Sequence, residues 1–210
     1  MTSPPVVMIS KELAQSLKVL KMLKYMLNKM LLSMQKRYDY DVAYMQDILQ
    51  SDTKAFLKLM GFQTMSSHTG NLPAEPLYAA RLRAIIWDDC GPCTQLLVNM
   101  ALAAGLNPEI VRAIIDRDLD KLPENTALVV QFTELVLAHD LKADDLREKI
   151  QALWGTQGLI AVGYAISSSR VYPALKYTLG YGKTCSQIRV DDLSLTPARC
   201  SIPAGGEEKI

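Results

Sequence analysis

The stretch Ala79-Ala80-Arg81-Leu82-Arg83-Ala84-Ile85-Ile86-Trp87-Asp88-Asp89-Cys90-Gly91-Pro92-Cys93-Thr94-Gln95 decides the fold. Its first half sets Ala80, Ala84 and Ile85 at helical spacing with Leu77 and puts Arg81 and Arg83 elsewhere on the turn, where a buried strand would be a short, uncharged apolar run. Its second half opens another helix: Leu96, Leu97, Met100, Ala101 and Ala104 keep the period, and Gly105 ends it. Gly-Pro fits the first turn because N–H groups there have no acceptor within the helix. The stretch therefore reads as helix, Cys-x-x-Cys, helix. The two thiols can close a small disulfide ring, and a helix N-terminus favours the thiolate of either one.

Downstream, Asn107-Pro108-Glu109 gives an N-cap, a proline at the first helical position and an acidic first turn, opening a helix to about Asp116. Pro123 opens another through Leu128, Val129, Phe132, Leu135 and Val136. Ala143-Asp144-Asp145-Leu146 begins one that runs to Trp154. Residues 155–182 are rich in small residues that suit a closely packed central helix, with Pro173 expected to kink or split it. From 183 to 210 the chain turns polar and is expected to be an irregular tail. No stretch alternates convincingly enough for a strand, so the fold class is all-α.

Upstream, residues 10–36 carry the longest helical signal, with Ser10 as N-cap. Lys11, Lys18, Lys29 and Lys36 form one line, while Leu13, Leu20, Leu23, Leu27, Met30, Leu31 and Met34 fall opposite. A second helix runs through Val42, Tyr44, Met45, Ile48 and Leu49. A third, capped by Ser51, covers Asp52 to Met60 and stops at Gly61. Residues 62–73 read as an irregular connection. The expected organisation is an N-terminal helical arm over 1–61, a helical core over 74–182 and the tail over 183–210.

The chain has 210 residues, 49% of them hydrophobic, which suffices for one sizeable core. Its net charge of +1 is uneven: residues 1–37 hold seven basic side chains against Glu12, a balance of +6, so the remainder carries −5. The first residues lack the pattern of a secretory signal, and no segment offers the roughly 18 uninterrupted apolar residues of a membrane span. A soluble, cytoplasmic protein is expected. The basic arm reads first as a packing or oligomerisation helix. Contact between residues 10–36 and a membrane surface is a lesser alternative, and nucleic acid is not expected, because no recognition motif accompanies the charge.

Four cysteines are too few for a disulfide scaffold. Cys-Gly-Pro-Cys is the thioredoxin active-site tetrapeptide, but that fold needs a buried strand running into it, and Ala79–Asp88 is helix-spaced. Zinc wants four ligands, usually as two close pairs. Cys185 and Cys200 stand far apart in the tail, and His68 and His139 are isolated. No metal and no cofactor are expected.

The segment Leu82 to Gly105, a helix into Asp-Cys-Gly-Pro-Cys into a Leu-rich helix ending Ala-Gly, resembles the AhpD-like (carboxymuconolactone decarboxylase-like) family, over about residues 74–180. The resemblance implies an all-α AhpD-like bundle, commonly a homo-oligomer. It implies antioxidant, peroxidase-type or thiol/disulfide oxidoreductase activity at a redox-active Cys90/Cys93 pair, served by a redox partner protein. Peroxidase-type members follow Glu-x11-Cys-x2-Cys-x3-His, whose acid and imidazole relay protons. Here the cysteines match, but Tyr78 stands at the Glu position and Leu97 at the His position. Decarboxylase members use no cysteine pair. Asp89 is the candidate supporting residue, as a proton acceptor or as a helix cap, while Asp88 and Asp89 together oppose a thiolate. The alternative is a non-catalytic helical oligomer or interaction protein that keeps the fold.

Overall fold

Helical spacing becomes helices joined by short turns in the computed structural model, which describes residues 6–183 and 187–198, with side chains from residue 15 onward. The fold is all-α with one small hairpin. The chain divides into two compact units, 1–61 and 62–210. Among the described residues no helix is long and apolar enough to cross a membrane.

In the first unit α1 (Val6–Tyr38) is followed by α2 (Ala43–Ser51), with α3 (Thr53–Ser66) leading out of it. Helix α1 begins at Val6, so Ser10 lies inside it and is not its cap. Lys24 Nζ donates to the Gln50 carbonyl at 2.9 Å and Gln46 Nε2 to Asn28 Oδ1 at 2.8 Å, tying α1 to α2. Leu31, Tyr44, Met45 and Leu49 are buried. The cap of α3 is Asp52 and not Ser51: Asp52 Oδ1 accepts from the N–H groups of Lys54 and Ala55 at 2.8 and 3.0 Å. Nor does α3 stop at Gly61. A helical glycine costs only about 1 kcal/mol, and the turn beyond is anchored: Phe62 packs edge-on against Tyr172, and Arg81 donates to the Ser66 carbonyl.

The second unit is built around α4 (Ala74–Trp87), buried from Pro76 to Ile86. Around it lie α5 (Gly91–Ala103), α6 (Pro108–Asp116), a 3-10 turn (Leu119–Lys121), α7 (Glu124–Leu137) and α8 (Ala143–Thr178). Tyr78, Ala79, Leu82 and Ile86 of α4 join Val98 of α5 and Ile114 of α6 in one apolar cluster. Leu77, Ala80 and Ala84 join Phe132 of α7 and Val162 of α8 in another. A helix apolar on two sides has little amphipathic contrast, as expected of a central helix.

Its two arginines, Arg81 and Arg83, are buried too, Arg83 the more deeply. Arg83 Nη2 meets Glu134 Oε1 at 2.7 Å, with the two side chains 2% and 3% exposed, and Arg117 Nε reaches Glu134 Oε2 at 2.8 Å. Arg83 also donates to the carbonyls of Ile114 and Ile115, both at 3.2 Å, and of Ala198 at 2.8 Å. Its charge thus satisfies the C-terminal end of α6, where the helix dipole favours a cation.

Two expectations are corrected here. Helix α8 is broken at Gly155 (φ 66°, ψ −172°), a backbone conformation open essentially to glycine alone, and not at Pro173. The stretch expected to be an irregular tail contains an antiparallel hairpin, β1 (Ile188–Val190) with β2 (Leu193–Leu195), pairing Ile188 with Leu195 and Val190 with Leu193. Ile188 and Val190 are fully buried in the first apolar cluster. Residues 199–210, the rest of that expected tail, lie outside the described residues, as do Cys185 and Cys200.

Candidate functional site

Helix α4 must reverse into α5 within three residues, and the local chemistry of Asp88-Asp89-Cys90 sets how it does so. Asp89 adopts the left-handed conformation (φ 54°), tolerable for an aspartate, and its N–H donates to the Ile86 carbonyl at 3.1 Å. Cys90, extended at φ −101°, ψ 97°, is the N-cap of α5, and Pro92 sits in the first turn. The Cys90 carbonyl accepts from both the N–H and the Oγ1 of Thr94 at 2.9 Å. Asp89 is therefore the reversal residue after α4 and not the cap of α5.

Cys90 and Cys93 stand at disulfide distance, with Cα atoms 5.3 Å apart. Both are buried, at 0% and 2% exposure. They share an apolar cluster with Ile85, and Leu97 packs against it. Leu97 occupies the position that the relay pattern gives to histidine, so the structure puts a hydrocarbon where an imidazole was wanted. Tyr78, at the acid position, ties α4 to α5 by donating to the Met100 carbonyl at 3.3 Å and carries the Arg81 guanidinium 5.3 Å from its ring centre. Burial holds that guanidinium below its ordinary pKa, against the opposing effect of Tyr78.

The two acids do not act alike. Asp88 is paired with Arg170 of α8, whose Nε and Nη2 each lie 3.0 Å from one of its oxygens. Asp88 is thus not an isolated anion beside the cysteines, a pairing that only the folded chain reveals. Asp88, Arg170, Ala174 and Tyr177 border a shallow cleft of about 500 Å³. Asp89 offers its carbonyl to Tyr177 Oη at 2.8 Å.

The chain returning after α8 secures the same turn. The Gly91 N–H donates to the Lys183 carbonyl at 3.0 Å. The Gln95 side-chain amide pairs with the main chain of β1, donating to the Arg189 carbonyl at 2.9 Å and accepting from the Arg189 N–H at 2.8 Å. Gln95 thus acts as a strand partner for β1. Its nearness to the cysteines was visible in the sequence. Arg170, Tyr177 and Lys183 carried no signal, because each acts from more than seventy positions away.

Both histidines are exposed, and His68 packs edge-on against Tyr164. Among the described residues no group of three or more His, Cys, Asp or Glu gathers where it could hold a metal. No protein-family model matches the chain, and no curated protein or solved structure matches it.

Proposed function

We propose that the protein is a thiol/disulfide oxidoreductase or weak alkylhydroperoxidase of AhpD-like type, working through Cys90 and Cys93. The observation that carries this reading is the pair itself, at disulfide distance across the first turn of α5. With a hydroperoxide, one thiolate attacks an oxygen, giving a sulfenic acid and an alcohol. The second thiol then displaces that hydroxyl as water and closes the disulfide. Two thiols and one hydroperoxide become one disulfide, one alcohol and one water, two electrons passing from sulfur to oxygen. A partner protein's dithiol returns two electrons and two protons by exchange. The positive end of the α5 dipole supports the thiolate, and Arg170 pairs with Asp88.

The test is thiol counting by mass spectrometry on reduced protein given mild hydroperoxide. Cys90 and Cys93 lose their alkylatable thiols together, and Cys93→Ser abolishes turnover of hydroperoxide or partner disulfide. Unchanged turnover in Cys93→Ser sinks the proposal.

A second reading rests on a different observation. Both sulfurs are buried against Ile85 and Leu97, with Tyr78 and Leu97 at the relay positions. A non-catalytic helical protein would use the Cys90–Cys93 bond to brace the turn from α4 to α5. On that reading the bond persists at a cytosolic glutathione poise, and replacing both cysteines alters stability alone. The reduction potential of the pair separates the two.

A further inference from the structure

We propose that α1 presents a docking surface for membranes of anionic phospholipid. Lys24, Asn28 and Leu31 lie on the side of α1 that meets α2. At about 3.6 residues per turn, Val19, Met22, Met26 and Met30 fall together on the opposite side. All four are exposed, Met22 and Met26 at 60% each. This exposed stripe adjoins the leucine-rich face, the two meeting at Met30. Lys18, Lys29 and Lys36, also exposed, run along one edge of it.

Charge selects the occupant. Residues 1–37 carry seven basic side chains and one acid, Glu12. A second copy of this helix laid against the stripe would bring lysine to lysine with almost no acid to answer, whereas an anionic leaflet supplies dense negative charge beside the same hydrocarbon. A basic amphipathic helix lying in the plane of the interface buries its apolar side among the acyl chains and lets lysines reach the headgroups. Methionines, unbranched and polarizable, suit a fluid surface that offers no fixed holes. The helix has 33 residues, so it can lie along about 50 Å of membrane.

The experiment is vesicle co-flotation of the full chain with phosphatidylcholine alone and with equal parts phosphatidylcholine and phosphatidylserine, at low and high salt. Wild type floats with the mixed vesicles at low salt, and high salt releases it. The variant Lys18→Gln/Lys29→Gln/Lys36→Gln loses roughly a hundred-fold in partitioning, at about five-fold per lysine. The variant Met22→Gln/Met26→Gln/Met30→Gln loses binding while its far-ultraviolet circular dichroism keeps the wild-type helix content. Equal flotation with both vesicle types, none with either, or wild-type flotation of the methionine variant overturns the proposal. So does a concentration-dependent dimer in sedimentation that the methionine variant abolishes while wild type ignores vesicles, since the stripe then belongs to a second copy.

Discussion

Replacing Arg83 by methionine tests whether the second unit is fastened as described. The substitution keeps an unbranched apolar stem and drops the guanidinium, so what it chiefly removes is charge and donors. Glu134, 3% exposed, keeps only the outer Arg117 of its two arginines, and the carbonyls of Ile114, Ile115 and Ala198 each lose a donor. Deleting one partner of a buried pair costs about 3–5 kcal/mol, because the remaining charge stays out of water. Against a whole stability of about 5–15 kcal/mol, that is a large fraction. With a urea dependence of about 2 kcal/mol per molar, the midpoint falls by about 2 M. Both tryptophans of the chain, Trp87 and Trp154, lie in 62–210, so their fluorescence reports this unit. Arg117→Gln, whose side chain is 39% exposed, is the control and costs no more than about 1 kcal/mol. Arg83→Met combined with Glu134→Leu recovers part of the loss, since no buried charge is then stranded. A loss below about 1 kcal/mol in Arg83→Met alone, or a double variant less stable than either single one, refutes the account of Arg83 as the fastener.

Gly155→Ala isolates backbone strain, because a Cβ there meets nothing within 4 Å. Its φ of 66° with ψ of −172° makes the cost about 1–3 kcal/mol, read from the same urea transition, and a neutral result would mean that α8 is not broken there. Burial pushes the Tyr172 phenol above its ordinary pKa near 10. Below pH 10 or so the phenol is neutral in folded and unfolded chains alike and its contribution is fully present. As pH rises toward the folded value the unfolded chain sheds its proton first, and stability is lost. Tyr172→Phe flattens that alkaline slope, measured by urea unfolding across the range, and an unchanged slope contradicts the shift.

The helices were legible because their apolar residues recur at the helical period over many turns, and α6 announced itself through Asn107, whose Oδ1 accepts from the Glu109 N–H at 2.9 Å. What was not legible depends on partners distant in the chain. Three-residue strands are too short to show alternation, and Ile188 and Val190 become strand residues only because Gln95 and the core receive them. Arg81 and Arg83 helped to exclude a strand, yet nothing local says that Arg83 is 2% exposed, since its acceptors come from α6, α7 and the residues after β2. The helix end expected at Trp154 matches the break at Gly155, whereas Pro173, the expected site of a further kink or split, sits inside α8 without breaking it. At the site, the two cysteines and the apolar Leu97 could be read directly. The pairing of Arg170 with Asp88 and the reversal at Asp89 are products of the fold.

Burial of the two sulfurs turns the functional question into one of opening. The carbonyl before Cys90 is held by Tyr177 Oη and the N–H after it by the Lys183 carbonyl. At about 0.5–1.5 kcal/mol each, releasing both costs about 1–3 kcal/mol and leaves the turn free in about one molecule in five to one in a hundred and fifty. If the hairpin must leave as well, the two Gln95 bonds and the burial of Ile188 and Val190 are added. Each of those side chains contributes about 1.5–3 kcal/mol, which takes the free population below about one in several thousand. The alkylation rate of the reduced protein, relative to a reduced Cys-Gly-Pro-Cys peptide at the same pH, tells these apart. A cycling redox pair belongs to the first regime, with Tyr177→Phe speeding alkylation about two- to ten-fold. A rate suppressed several thousand-fold and indifferent to Tyr177→Phe belongs to the second, in which the cysteines brace the turn and do no chemistry.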